Sequence, residues 1–394
     1  MKKKTSLPIF LLALVMLANA LGYGTIIPLL YPYAAKFGLN DFQTGMLFVA
    51  FSLAQFVATP IMGRMSDKYG RKPLLVISML GSALSFIVFA LAKNVHTLFA
   101  ARILDGITGG NVSVANAAIS DIYDNDQDRT KAFAMLGATF GVGFLVGPAL
   151  GGLASAYSME LPFFIAAGFC ALSSLLSATL LKETHTKHDK QETTSFLGLT
   201  QLLFKPATSP ILIATYLIIT GQSMFYLLFQ SISTHFFSVT VQEMGFFFTA
   251  LGLVSILVQG FGIRIFLKKV HEKRKLFLLL VTSTIVFLIL VSLTTTRNYF
   301  NLYTLLYFSL FSSQGAVLVS WLSQRVKKDD YGATLGMNQS MTSLGQVTGP
   351  FLAGMILQKY GQSPWIVLGV VTIFAAAALV IFPLHEKQEK IDIQ

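Results

Sequence analysis

Arg102 and Asp105 stand three residues apart inside an apolar stretch that runs from about residue 95 to residue 120. On a helix that spacing puts both on one face, where they can neutralise each other. An ionisable group deep in a bilayer costs roughly 2.5 to 3.5 kcal/mol on insertion scales, so such a residue is by default a functional candidate. The chemistry expected is proton exchange: Asp105 gains and loses a proton, and Arg102 sets its affinity for it. A static structural ion pair fits the same spacing. A second constellation, "GRMSDKYGRKPLL" from Gly63, places Arg64, Asp67, Lys68, Arg71 and Lys72 within ten residues between two apolar runs. There Gly63 and Gly70 permit close backbone approach and a sharp turn, while Asp67 can meet a helix amino terminus or Arg71. Asp121 and Arg129, near the next basic connection, are further partners.

The elements that must hold these residues follow from composition. Apolar residues make up 54% of the 394 positions and charged ones 12%, which leaves too little polar surface to coat a soluble globule. About twelve runs reach the roughly 20 apolar residues that a span needs. Their approximate bounds are 7–33, 42–63, 73–92, 95–120, 132–157, 162–181, 209–235, 243–267, 276–295, 299–324, 332–358 and 363–383. Segments such as "LFLLLVTSTIVFLILVSL" lack the alternation of a β-barrel strand, so helices remain as the spanning structure. The start "MKKKTSLPIFLLALVMLANA" has the outline of a cleaved signal, yet its apolar run continues through "LGYGTIIPLL", and it is read as the first span. The single cysteine, Cys170, excludes an internal disulfide framework and any cysteine-based metal cluster.

Lysine and arginine are distributed very unevenly. With the amino terminus inside, 24 of the 29 fall in inner connections or at the termini; Lys36, Lys93, Arg297 and Lys359 are outside, and Arg102 lies within a span. The formal charge of +11 is thereby explained by topology and attraction to anionic lipid, without a nucleic-acid partner. Both termini are expected in the cytoplasm and the chain in the cell's inner (plasma) membrane. The polar stretch "KETHTKHDKQETTSFLGLTQLLFKPATSP" divides the spans six and six. Residues 1–183 are therefore read as one bundle, 184–207 as a cytoplasmic linker and 208–394 as a second bundle. "GFLVGPALGG" from Gly143 and "GQVTGPFLAG" from Gly345 are 202 residues apart, so Gly147 and Pro148 correspond to Gly349 and Pro350. Gly143, Gly147 and Gly151 recur every four residues as a small-residue stripe for close helix packing, and Pro148 can bend its helix. Parallel half-repeats suit two bundles rocking about a shared cavity.

These motifs resemble those of the major facilitator superfamily. Gly63, Asp67, Gly70, Arg71 and Lys72 match its Gly-x-x-x-Asp-x-x-Gly-Arg-Lys signature between the second and third helices. "LFAARILDGITGG" resembles its fourth-helix motif through Arg102 and Gly106, with Asp105 at a variable position, and "GVGFLVGPALGG" resembles the fifth-helix motif of proton-driven exporters. The resemblance covers essentially the whole chain and points to the drug and tetracycline:proton antiporter branch. It implies an all-α membrane protein of twelve transmembrane helices in two six-helix pseudo-symmetric bundles. It also implies that the Gly63–Lys72 charges, with Asp121 and Arg129, latch one half against the other in the outward-facing state. One departure bears on coupling. Exporters of this type tend to carry an acid at the position of Asn19, and further acids in the second half. Here Glu243 only starts the eighth span, while Asp329 and Asp330 precede the eleventh.

Polar and aromatic residues at helical spacing on apolar spans are the candidate substrate contacts: Asn19 and Tyr23; Gln222, Tyr226 and Gln230; and Asn111, Asn116, Gln314, Asn338 and Gln339. Helix-to-helix hydrogen bonding explains any one of them equally. The leading expectation is proton-coupled efflux of hydrophobic or amphipathic small molecules by alternating access. The alternative is a proton-independent facilitator or uptake permease for a sugar-like or other metabolite. An intramembrane enzyme or a non-transporting receptor is a third class, but the sequence has no His-Glu-x-x-His, Gly-x-Ser-x-Gly or phosphate loop. No cofactor or metal is expected. The expected partners are a small-molecule substrate, protons and membrane lipids, with the chain acting as a monomer.

Overall fold

The computed structural model describes residues 6–123, 125–184, 208–258, 272–326 and 331–382. Among these residues the regular structure is helical throughout: α1 (Ser6–Ala35), α2 (Asp41–Tyr69), α3 (Arg71–Ala90), α4 (Val95–Thr108), α5 (Asn111–Ile122), α6 (Asp126–Ala154), α7 (Leu161–Leu180), α8 (Ser209–His235), α9 (Val241–Leu257), α10 (Lys273–Leu293), α11 (Arg297–Ser323), α12 (Tyr331–Tyr360), a 3₁₀ turn (Pro364–Val367) and α13 (Leu368–Ile381). Nine of the described helical segments are long and apolar enough to cross a membrane. Most of the linker, residues 259–271 of the second basic loop, and the tail from residue 383 lie outside the described residues.

Each of the twelve expected spans holds a helix among the described residues, the eighth being described as a helix to Leu257, with corrections of detail. The fourth is not one helix: it breaks at Gly109 and Gly110 into α4 and α5. The broken stretch packs closely on α2. A methyl group on Gly110 would stand 2.8 Å from Met62 Cβ, and one on Gly106 would stand 2.7 Å from Ala54 Cβ. Tandem glycines supply no side chain to hold the turn, and Gln55 Nε2 donates 3.3 Å to the Gly109 carbonyl that the break releases. The last span begins as a 3₁₀ turn, which Pro364 opens without a backbone N–H to satisfy.

Turn chemistry sets the ends of α2. Asn40 caps its start, with Oδ1 accepting from the Gln43 N–H at 2.8 Å while Gln43 Oε1 accepts from the Asn40 N–H at 3.0 Å, a reciprocal capping box. At the other end Gly70 has φ 100°, a conformation that side-chain-bearing residues rarely adopt, and it reverses the chain into α3.

The described residues fall into two compact bodies. The first draws on Met1–Glu192, Tyr226–Val254 and Gln346–Ser363; the second draws on Thr193–Phe225, Ser255–Gly345 and Pro364–Gln394. Glycine seams run through the first body. A methyl at Gly143 would stand 2.8 Å from the Leu17 carbonyl oxygen, and one at Gly147 would stand 2.8 Å from that of Leu21, so α6 lies directly on the backbone of α1. Thr25 Oγ1 donates 3.2 Å to the Gly147 carbonyl across this contact. Gly152 meets Gly245 on α9, and Gly45 on α2 faces the Pro350 carbonyl of α12. In the second body, Gly345 repeats the Gly143 arrangement against Ile219 and Thr220 of α8. Aromatic rings pack beside these seams, as in the cluster of Tyr33, Phe89 and Phe163, whose centroids lie 4.8 to 5.3 Å apart.

Gly147→Leu is expected to lower the melting temperature of the detergent-solubilised protein, since overpacking costs about 1–3 kcal/mol. Gly137→Ala, where an added methyl meets open space, is expected to leave the melting temperature unchanged.

Candidate proton site and the loop network

The expected pair forms. Arg102 Nη1 lies 3.0 Å from Asp105 Oδ2, with side-chain exposures of 3% and 13%, so the ion pair is held almost entirely away from solvent. Sequence reasoning missed its other partners. The Arg102 guanidinium sits 4.2 Å from the centre of the Phe51 ring on α2, a cation–π contact that strengthens when desolvated. Ser82 and Ser85, three apart on α3, lie beside the Asp105 carboxylate. Their helical spacing on an apolar span was a signal available in the sequence.

Beside the pair is a cavity of about 20 Å³, room for roughly one water molecule. Asn19, Tyr23, Phe51, Arg102, Asp105 and Cys170 are among its lining residues. Two buried polar atoms near it have no hydrogen-bond partner, Arg102 Nε and Asn111 Oδ1. Asn111 Nδ2 reaches Asn19 Oδ1 at 3.5 Å and Met79 Sδ at 3.3 Å, so the break before α5 brings it to α1 and α3. Asn116 lines a different pocket of the same body, of about 390 Å³, with Met16, Phe133 and Phe140.

The remaining substrate candidates are placed elsewhere. Gln230 is fully buried and donates 3.3 Å to the Tyr226 carbonyl one turn earlier; the Tyr226 ring stacks on Phe248 with centroids 6.0 Å apart. In the second body Gln314 Nε2 donates 2.6 Å to Thr284 Oγ1, and Asn338 Oδ1 accepts from Thr215 Oγ1 at 3.0 Å. Gln222 is half-buried and Gln339 is exposed.

The charges after α2 form a network centred on Arg71, which is 7% exposed. Its Nη1 bonds to Asp67 Oδ1 and donates 2.6 Å to Ser66 Oγ, and its Nε lies 2.8 Å from Asp121 Oδ2 on α5. Glu183, at the far end of the same half, accepts from the Arg71 and Lys72 backbone N–H groups at 2.8 and 3.2 Å. It places a carboxylate on the amino terminus of α3, where the helix dipole favours negative charge. The Gly63 carbonyl accepts from Ser66 Oγ at 2.7 Å. Arg129 lies in the first turn of α6, where its N–H bonds to the Asn125 carbonyl.

Asp105→Ala would leave the Arg102 guanidinium buried without its counter-charge. It is expected to destabilise the protein by about 3–5 kcal/mol, whereas the paired apolar replacement Arg102→Met with Asp105→Leu recovers most of that loss. Thermal unfolding in detergent checks both.

A helical chain with glycine seams, a buried Arg–Asp pair and a charged turn after its second helix now has relatives to compare with. The family model described as Major Facilitator Superfamily matches residues 12–324 and 308–394. The chain is 27% identical to Multidrug resistance protein 2 of Bacillus subtilis (strain 168), over 90% of this chain and 89% of that one. It is 31% identical to Tetracycline resistance protein, class B, of Escherichia coli, over 87% and 86%. Among solved structures, the nucleoside transporter NupG superposes with a TM-score of 0.81 at 15% identity, covering 97% of this chain and 100% of that one. The chain belongs to the Major Facilitator Superfamily, a multi-pass membrane transporter of small molecules.

Proposed function

We propose that this transporter exports hydrophobic or amphipathic small molecules in exchange for protons. The observation that carries the reading is the buried Asp105 carboxylate, paired with Arg102 beside a cavity sized for one water. A proton arriving through that cavity neutralises Asp105 and frees Arg102, which changes the charge held between α1, α2, α3 and α4. Asn19, Tyr23 and Asn111 surround the same point. Relatives that carry multidrug and tetracycline resistance in their names support a substrate of this kind. Phe133 and Phe140 beside Asn116 give an apolar wall with a single amide, suited to an aromatic solute.

The six-helix halves, 1–183 and 208–394, rock about the site, joined by the cytoplasmic linker at 184–207. The Arg71 network, with Asp67, Asp121 and Glu183, stiffens the inner rim so that it latches when the opposite face opens. Both termini lie in the cytoplasm of a cell whose inner membrane holds the chain as a monomer among anionic lipids.

Purified protein in proteoliposomes, given an imposed pH step, is expected to move ethidium or tetracycline against its gradient. Asp105→Asn is expected to reduce that pH-driven flux at least about tenfold, within the range of a displaced acid–base group. Full pH-driven flux from Asp105→Asn would refute the coupling, and flux indifferent to collapse of the pH step would establish the facilitator alternative.

A further inference from the structure

The end of α2 opposite Arg71 carries a second carboxylate network. Helix α2 has 29 residues, which at 1.5 Å per residue separates its ends by about 43 Å. At its first residue, Asp41 uses both carboxylate oxygens. Oδ1 accepts from the Tyr31 hydroxyl of α1 and, at 3.4 Å, from Ser231 Oγ of α8; Oδ2 accepts from Gln362 Nε2 in the turn after α12, at 2.7 Å. Tyr31 Oη and Ser231 Oγ are themselves 2.9 Å apart. Tyr31 is 3% exposed and Ser231 fully buried, so the Tyr31–Ser231 side of the network is sheltered from competing water.

We propose that Asp41 is a positioning residue of the transport cycle, the hub of a lock that holds this face of the protein shut. It joins α1 and α2 to α8 and to the end of α12, chain segments that come from both halves and meet here within one body. At the other end of α2 the Arg71 side chain bonds to Asp67, Ser66 and Asp121 and its N–H to Glu183, all from the first half of the chain. The two ends of one helix therefore carry different devices: a tie across the chain halves at Asp41 and a brace within one half at Arg71. Opening this face requires Tyr31, Ser231 and Gln362 to leave the carboxylate together, which makes the step cooperative. The inference rests on the alternating-access reading above.

The alternative role for Asp41 is local, a favourable charge in the first turn of α2. Tyr31→Phe and Gln362→Ala separate the two, because each removes a bond to Asp41 and leaves the α2 terminus intact. The reporter is Tyr23→Cys in a Cys170→Ser background, labelled in intact cells by a membrane-impermeant maleimide from the face bearing Asp41. Labelling is expected to quicken by up to about tenfold in Asp41→Ala, and by smaller factors in Tyr31→Phe and Gln362→Ala, the loss expected from charge-assisted hydrogen bonds. If Asp41→Ala fails to fold, the Tyr31 and Gln362 variants decide alone. Labelling unchanged from the reporter background in both overturns the lock. Since labelling needs no transport, absent flux from unsubstituted protein would count against the proposed function and leave the lock to stand or fall by accessibility.

Discussion

A polar group inside a hydrocarbon layer has no water to turn to, and this chain is organised around that lack. Each backbone N–H and carbonyl must be satisfied by the chain itself, which is why the apolar segments are helices. Where a helix is interrupted, another element steps in. Gln55 reaches the carbonyl released at the Gly109–Gly110 break. The same demand acts more strongly on charge. Arg102 is held by Asp105 and by the face of Phe51. A change in the charge at Asp105 would act first on these neighbours.

Close packing supplies the second condition. Lipid tails are as apolar as leucine, so helices associate through dispersion and hydrogen bonds and depend on small residues to bring backbones together. The α1–α6 contact works this way: Gly143 and Gly147 lie against the Leu17 and Leu21 carbonyls, leaving no room for larger side chains. Gly345 repeats the contact on α8, a structural echo of the 202-residue offset between the two glycine–proline motifs. Seams of this type give rigid contacts with little stored side-chain freedom, which suits elements that move as units.

Charge then marks the two ends of α2. Arg71 gathers Asp67, Asp121 and Ser66, while Glu183 caps the start of α3, and all belong to the first half of the chain. Asp41, at the other end, gathers hydroxyl and amide donors from later segments as well. The chemical contrast is informative. Arginine bonded to two carboxylates makes a strong brace, whereas the single Asp41 carboxylate holds only while its neutral donors stay in place together.

Much of this was legible in the residues alone. Run lengths and the absence of strand alternation determined helices, because backbone hydrogen bonding in lipid allows no other open element. The Arg102–Asp105 pairing followed from i, i+3 spacing, and the glycine stripe from its four-residue period; both are local properties of one helix. Other features were invisible because they depend on residues far apart in the chain. Glu183 meets the Arg71 N–H across 112 positions and Gln362 meets Asp41 across 321. The break in the fourth span, which lies close against α2, was not legible either, since glycines permit a turn without requiring one. Sequence by itself determined which segments are helical and which groups are costly to bury, since those costs are set residue by residue. Tertiary structure decided which partners relieve the cost, since a buried charge or carbonyl is satisfied only by whatever the packing of other helices brings within bonding distance.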